Sequence, residues 1–229
     1  MVVCIIPARG GSKRIKNKNI REFAGKPLLY WTIKAAQDSG IFRRIIVSTE
    51  SEEIAEIAKK YIDIPFLRED CFDDYSTNLE MAIHVLEQCN KYLNESYETT
   101  AILQPTSPLR TAIDISNIYK YYRKSGLNSA IGCFKPLFVN PWWLAELDDN
   151  NRPKKLFEDN MKRSQDYPEL VCPSGAIIFV NTNFLLENKD IHKNITYFPL
   201  EWKNAIDIDT EEEFEIAEIL AKYKKDNLL

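Results

Sequence analysis

Three features of the sequence predict an α/β fold built on a doubly wound, mostly parallel sheet. Short apolar runs and amphipathic stretches alternate from residue 2 to residue 134. That order is the signature of repeated βα units. The apolar runs are continuous rather than alternating, as strands covered on both faces require. Polar loops follow the runs ending at Ile6 and Leu103 directly, where open α/β sheets place their ligands.

Val2 to Ile6 reads as the first buried strand. Residues 27–38 read as a helix, with Pro27 in its first turn. Ile45-Ile46-Val47 is the second strand. Ser51 then caps a helix to about Tyr61, with Glu52 and Glu53 in its acidic first turn. Pro65-Phe66-Leu67 reads as a short third strand. A long helix over 77–92 places Leu79, Ala82, Ile83 and Leu86 on one face. Ala101-Ile102-Leu103 is the fourth strand. Thr111 with Asp114 opens a helix to about Lys124, and residues 130–134 form the fifth strand. Strand character resumes at 176–180, and a charged amphipathic helix over 211–224 closes the pattern.

Residues 136–172 break the alternation. They hold Asn140-Pro141-Trp142-Trp143 and the polar turn Asp148-Asp149-Asn150-Asn151. We read them as an excursion from a single domain spanning 1–229, serving as a hairpin lobe or a dimerisation arm. The two tryptophans suit either a partner surface or a cover for the sheet edge.

The 229 residues are 45% hydrophobic and carry a net charge of −4. A core is available, and a general nucleic-acid binder, which favours a basic domain, is disfavoured. The first apolar run is five residues long and precedes a basic loop, the reverse of signal-peptide order. No stretch approaches the ~18 apolar residues of a membrane span. The five cysteines are scattered with no Cys-x-x-Cys pair, so reduced thiols in the cytoplasm are expected.

Four motifs carry chemistry. After the first strand comes Pro7-Ala8-Arg9-Gly10-Gly11-Ser12-Lys13-Arg14-Ile15-Lys16-Asn17-Lys18-Asn19. Gly10 and Gly11 would let backbone N–H groups turn inward as an anion nest. Arg9, Lys13, Arg14, Lys16 and Lys18 supply charge for several phosphate oxygens. This is neither a Walker A loop nor a dinucleotide fingerprint, and its cation excess suits a triphosphate. A solvated basic loop has the same composition, but the position after the strand favours a ligand.

Gln104-Pro105-Thr106-Ser107-Pro108-Leu109-Arg110 follows the fourth strand. Two prolines stiffen it, and Gln104, ending an apolar strand, must find a polar partner. In Ile206-Asp207-Ile208-Asp209-Thr210, alternation puts both aspartates on the same side of a short strand. Neighbouring carboxylates call for a cation, and magnesium with shared phosphate oxygens fits. Equally, Thr210 to Glu213 is a capping box, and the aspartates could simply add charge beside that helix N-terminus. Arg163-Ser164-Gln165 could bind a carboxylate and hydroxyls, or be surface residues.

Taken together, these motifs resemble the cytidylyltransferases that make CMP-activated nonulosonic acids, the CMP-sialic acid synthetases and their relatives. The matching pieces also include Ile46-Val47-Ser48-Thr49 and Pro173-Ser174-Gly175-Ala176, and all run in family order along nearly the whole chain. The resemblance implies a Rossmann-like nucleotidyltransferase that is a homodimer. Its substrates would be CTP and a nine-carbon α-keto acid sugar, giving CMP-sugar and pyrophosphate. By position, it implies that Arg9, Gly10, Ser12, Lys13, Lys18, Asn19, Arg68, Thr77 and Asn78 hold CTP. Gln104, Arg163 and Gln165 would hold the sugar. Asp207 and Asp209 would hold Mg2+, with Arg9 and Lys18 joining them in catalysis.

Two departures lie in the sugar-facing half. The family often has two arginines before the glutamine, where this chain has Arg163-Ser164, and an arginine at the position of Cys172. The Gln104 loop resembles the sialic and legionaminic branch more than the pseudaminic one. The rival enzyme is a CMP-Kdo synthetase, against which Gly10 to Arg14 and Asn19 speak. A nucleotide- or RNA-binding module would need the basic loop but not Asp207 and Asp209.

Overall fold

The computed structural model describes residues 1–70, 77–157 and 163–226. Its strands in chain order are β1 (Val2–Pro7), β2 (Glu22–Phe23), β3 (Lys26–Pro27), β4 (Arg44–Ser48), β5 (Thr99–Ile102), β6 (Ser129–Phe134), β7 (Ala145–Leu147), β8 (Pro153–Lys155), β9 (Cys172–Asn181) and β10 (Ile195–Pro199). The helices are α1 (Leu28–Ser39), α2 (Glu52–Ala58), α3 (Asn78–Gln88), α4 (Ala112–Ser125), α5 (Thr182–Asn188) and α6 (Glu211–Asp226).

Six strands form the central sheet in the order β10-β6-β9-β5-β1-β4. Five share one direction, and β9 is antiparallel to both its neighbours. The predicted doubly wound, mostly parallel architecture is therefore present. Alternation along each strand builds its two faces. Cys4, Ile6, Val47 and Ala101 pack with Ile33 of α1, Ile54 of α2 and Ile115 of α4. Val3, Ile5, Ile46 and Ile102 pack with Met81 and Val85 of α3 and Leu185 of α5.

The sequence reading differs from the structure in three places. Pro65-Phe66-Leu67 is not a strand: the segment lies over α3, where Gln88 donates to the Leu67 carbonyl at 3.0 Å. The segment 206–209 is not a strand and belongs to no ladder. β10 is a half-exposed edge strand whose mixed residues give no clean apolar run. Residues 145–155 form a separate antiparallel hairpin, exposed throughout. Trp142 packs within the excursion, stacked on Tyr167 with ring centroids 5.3 Å apart, while Trp143 is 61% exposed.

Candidate active site

β1 pairs with β4 on one side and β5 on the other, so the strand order reverses at β1. Its carboxyl end lies beside those of β4 and β5, the usual ligand edge of an open α/β sheet. Because β9 runs the opposite way, its amino-terminal part reaches the same edge. A cleft of about 700 Å³ opens there.

A small third core sets the walls of this cleft. Ile15 from the basic loop and Ile208 from between the two aspartates are both fully buried, with Phe23, Leu28, Leu109 and Phe214. Burying each isoleucine contributes ~2 kcal/mol. It also fixes orientation: with Ile15 and Ile208 inward, Arg14, Asp207 and Asp209 line the cleft. The backbone N–H of Ile208 donates to the Thr106 carbonyl at 2.8 Å, which ties the aspartate segment to the Gln104 loop.

Opposite charges meet across this wall. Lys18 Nζ lies 3.1 Å from Asp209 Oδ1 and donates to the Ile208 carbonyl at 2.6 Å. Arg14 Nη1 lies 2.7 Å from Asp209 Oδ2. Burial alone would raise the Asp209 carboxyl, but hydrogen bonds and charge from Lys18 and Arg14 hold it below the ordinary range. Asp207 is raised, first by the protein mass around it and then by the Asp209 charge. A hydrogen bond from Thr106 and the nearby Lys18 partly offset that rise.

The capping box also forms. Glu213 Oε2 accepts the backbone N–H groups of Asp209 and Thr210 at 2.7 and 2.9 Å, and the Glu213 N–H donates to Thr210 Oγ1 at 3.3 Å. Thr210 and Glu213 cap the helix without either aspartate side chain, which leaves both carboxylates to the cleft. The capping box read from this motif is thus present, and it does not use the aspartate side chains.

The glycine nest does not form. The Gly10 N–H donates to Glu50 Oε1 at 2.6 Å, and the left-handed glycines are Gly25, Gly40 and Gly126. Gly10 instead permits close packing: a Cβ there would lie 3.2 Å from Ser51 Cβ and 3.3 Å from Glu50 Oε1. Asn19 is buried and donates to the Arg9 carbonyl at 3.0 Å, which closes the other end of the loop.

Arg9, Ser12, Lys13, Lys18, Asn19, Arg68, Thr77, Asn78, Gln104, Asp207 and Asp209 all line the cleft. Thr77 caps α3 with a full capping box, so that helix presents its N-terminus to the cleft. Arg163 and Gln165 are not among its walls. They are exposed in the excursion, where Arg163 forms a two-pronged pair with Asp166 at 2.9 and 3.1 Å.

Glu50 is a site-supporting residue that the motifs did not single out. Its second oxygen pairs with Arg68 Nη2 at 2.7 Å, and the Arg68 side chain is 3% exposed. It thus joins the basic loop to Arg68. The available signal was its place just past the end of β4, the rule that had flagged the loops after Ile6 and Leu103.

The sequence matches the family model described as cytidylyltransferase over residues 3–220. It is 36% identical over 228 residues to a pseudaminic acid cytidylyltransferase of Campylobacter jejuni, covering 96% of each chain. It is 31% identical to a CMP-N,N'-diacetyllegionaminic acid synthase of Legionella pneumophila, covering 100% of this chain and 99% of the other. An N-acylneuraminate cytidylyltransferase of Streptococcus agalactiae is 31% identical, with 93% of this chain matching 51% of that protein. Among solved structures, a CMP:2-keto-3-deoxy-manno-octonic acid synthetase complexed with CTP superposes with a TM-score of 0.74 at 15% identity. That match covers 97% of this chain and 99% of the other, and it concerns the fold.

Proposed function

The chain belongs to the cytidylyltransferase family, and from that membership we propose that it transfers CMP from CTP to the anomeric hydroxyl of a nonulosonic acid of the sialic or legionaminic type, releasing pyrophosphate. One observation carries the reading to this chain's own residues. The cations Arg9, Lys13 and Lys18, the carboxylates Asp207 and Asp209, and the Gln104 loop all line one cleft at the reversal point of the sheet.

Arg9, Ser12, Lys13, Lys18 and Asn19 hold the triphosphate of CTP, with Gly10 setting the loop behind them. Arg68, Thr77 and Asn78 hold the nucleotide, and the α3 N-terminus adds favourable polarity. Gln104 orients the sugar acid. The hydroxyl attacks the α-phosphorus in line while pyrophosphate leaves, so positioning and charge stabilisation supply most of the rate. Lys18, anchored at Asp209, neutralises charge on the phosphates.

Asp207 and Asp209 suit Mg2+. They are hard oxygen donors on one wall of the cleft, and the Asp209 charge is among the causes that raise Asp207, a repulsion a cation would relieve. When bound there, Mg2+ would supply Lewis-acid polarisation of a phosphoryl oxygen. Among the described residues no group of three or more His, Cys, Asp or Glu is placed to hold a metal, so substrate oxygens and water would complete its shell.

The excursion is the dimerisation arm of the single domain in this reading. Phe138, Trp143 and Leu147 are 84, 61 and 66% exposed, an apolar surface that suits a second copy. Arg163 and Gln165, carried on the same arm, contribute to sugar binding. The protein works in the cytoplasm, where CTP is available, and no helix among the described residues is long and apolar enough to cross a membrane.

A pyrophosphate-release assay with CTP, Mg2+ and a panel of sugar acids tests the proposal. Sialic, legionaminic or pseudaminic acid should support release, with the first two preferred. Release with Kdo alone would assign the rival enzyme, and CTP binding without release by any acid would assign a binding module.

A further inference from the structure

Gln104 and Gly175 are so close that a side chain at 175 would force the Gln104 amide to move. A Cβ built on Gly175 lies 2.5 Å from the Gln104 side-chain carbon and oxygen, and 2.6 Å from its nitrogen. The contact arises from a sheet irregularity. Between β6 and β9 the register shifts from Ile131 opposite Ile178 to Cys133 opposite Pro173. The irregularity of β9 lies within Ser174 to Ile177, opposite Gly132, and such a bulge is a device that re-aims residues beside active sites. Ser174 pins the bulge from within, since its hydroxyl donates to the Ala205 carbonyl at 3.2 Å and accepts the Ala176 N–H at 3.1 Å.

Arg110 holds the two backbones at this spacing. It is buried and donates to the carbonyl of Gln104 at 3.1 Å and to that of Ala176 at 2.5 Å. Its other terminal nitrogen reaches Thr32 Oγ1 at 2.5 Å, and its Nε has no hydrogen-bond partner among the described residues. Beside the amide, Thr106 Oγ1 lies 3.4 Å from Gln104 Oε1, its single proton shared between that oxygen and Asp207. The Gln104 amide thus lies over Gly175 with Thr106 at one edge, and Gln104 lines the cleft.

We infer that Gly175 is a specificity-determining residue, whose missing Cβ is the space in which the Gln104 amide lies and which sets how deep the sugar acid sits. Arg110 is a positioning residue for the same seat. The inference rests on the reading that Gln104 contacts the sugar. A methyl group at 175 must displace the amide by about 1 Å to restore ordinary contact. It would move into the space of a sugar hydroxyl or carboxylate.

The test is a double-mutant cycle of Gly175→Ala and Gln104→Ala on the full chain. Gly175→Ala should raise the sugar KM by about tenfold or more and leave the CTP KM within about twofold. Its thermal stability should fall. In the Gln104→Ala background, where the obstructing amide is gone, Gly175→Ala should change neither stability nor sugar KM further. Equal, additive effects in both backgrounds would overturn the inference. So would an unchanged sugar KM for Gly175→Ala where Gln104→Ala raises it. If Gln104→Ala leaves the sugar KM unchanged, the sugar-contact reading fails, while non-additive melting temperatures would still establish the Gly175–Gln104 contact.

Discussion

Lys18 and Asp209 meet at 3.1 Å although 191 positions separate them in sequence. The lysine side chain is only 13% exposed, and its second bond, to the Ile208 carbonyl, fixes the ammonium at the cleft wall. A cation held in this way costs little reorganisation when negative charge develops beside it.

Lys18→Ala should therefore lower kcat by about 100-fold or more, the range for removing a transition-state charge donor. Lys16 is exposed and outside the cleft walls, so Lys16→Ala should stay within about twofold. Steady-state kinetics of the two variants checks this. Equal, mild effects would reduce the loop to basic surface.

Asp209→Asn should abolish turnover and leave a folded protein, because the helix cap is made by Thr210 and Glu213. Activity and circular dichroism melting on the same preparation distinguish the roles. A lost melting transition would instead give the aspartate a structural role.

Asp207 is raised in the folded protein, so its ionised form opposes folding at neutral pH. A raised acid contributes stability that is fully present below its unfolded pKa and lost as pH rises through the folded value. Asp207→Asn should thus melt slightly above the wild type at pH 7, the gain kept small by solvent at this exposed residue, and should lose activity. The gain should vanish below about pH 3.9, where the unfolded carboxyl is already protonated. A lower melting temperature at pH 7 would contradict this.

Glu95 carries the opposite sign. Arg44, with bonds of 2.6 and 2.5 Å, and the Tyr97 hydroxyl hold its carboxyl down at about 2. That stability is present above the unfolded pKa and lost as pH falls through the folded one. Glu95→Gln should be destabilised at pH 7, and urea melts should converge with the wild type between about pH 4.5 and pH 2. A constant difference across that window would count against the pair.

Gly10→Ala should weaken CTP binding, since the new Cβ crowds Glu50 and Ser51 and pushes the basic loop from its anchor. Glu50→Gln keeps an acceptor for the Gly10 N–H but loses the Arg68 pair, so it should also weaken CTP binding. Calorimetric titration with CTP measures both. Wild-type affinity in both variants would sink the anchoring role of Glu50.

Much of this was legible in local pattern. Ile15 and Ile208 are apolar residues set among charges, and their burial is what turns Arg14, Asp207 and Asp209 to the cleft. What the sequence hid was non-local. The direction of β9 follows from its pairing partners, and apolar content at 176–180 carries no sign of it. The Gly10 N–H found a carboxylate 40 residues away, so adjacent glycines did not make a nest. Pro65-Phe66-Leu67 has strand composition but satisfies its backbone through Gln88 rather than a ladder. Arg163 and Gln165 sit on an arm whose placement no spacing rule reports.

The central claim is that CMP is transferred to a nonulosonic acid, and the product itself tests it most directly. Wild-type protein, CTP, Mg2+ and sialic or legionaminic acid should yield a CMP-sugar diester by mass spectrometry and 31P NMR, with one pyrophosphate per diester. The Asp209→Asn variant should yield none. Absence of any CMP-nonulosonate with the active wild type, or the same diester from Kdo alone, would contradict the account.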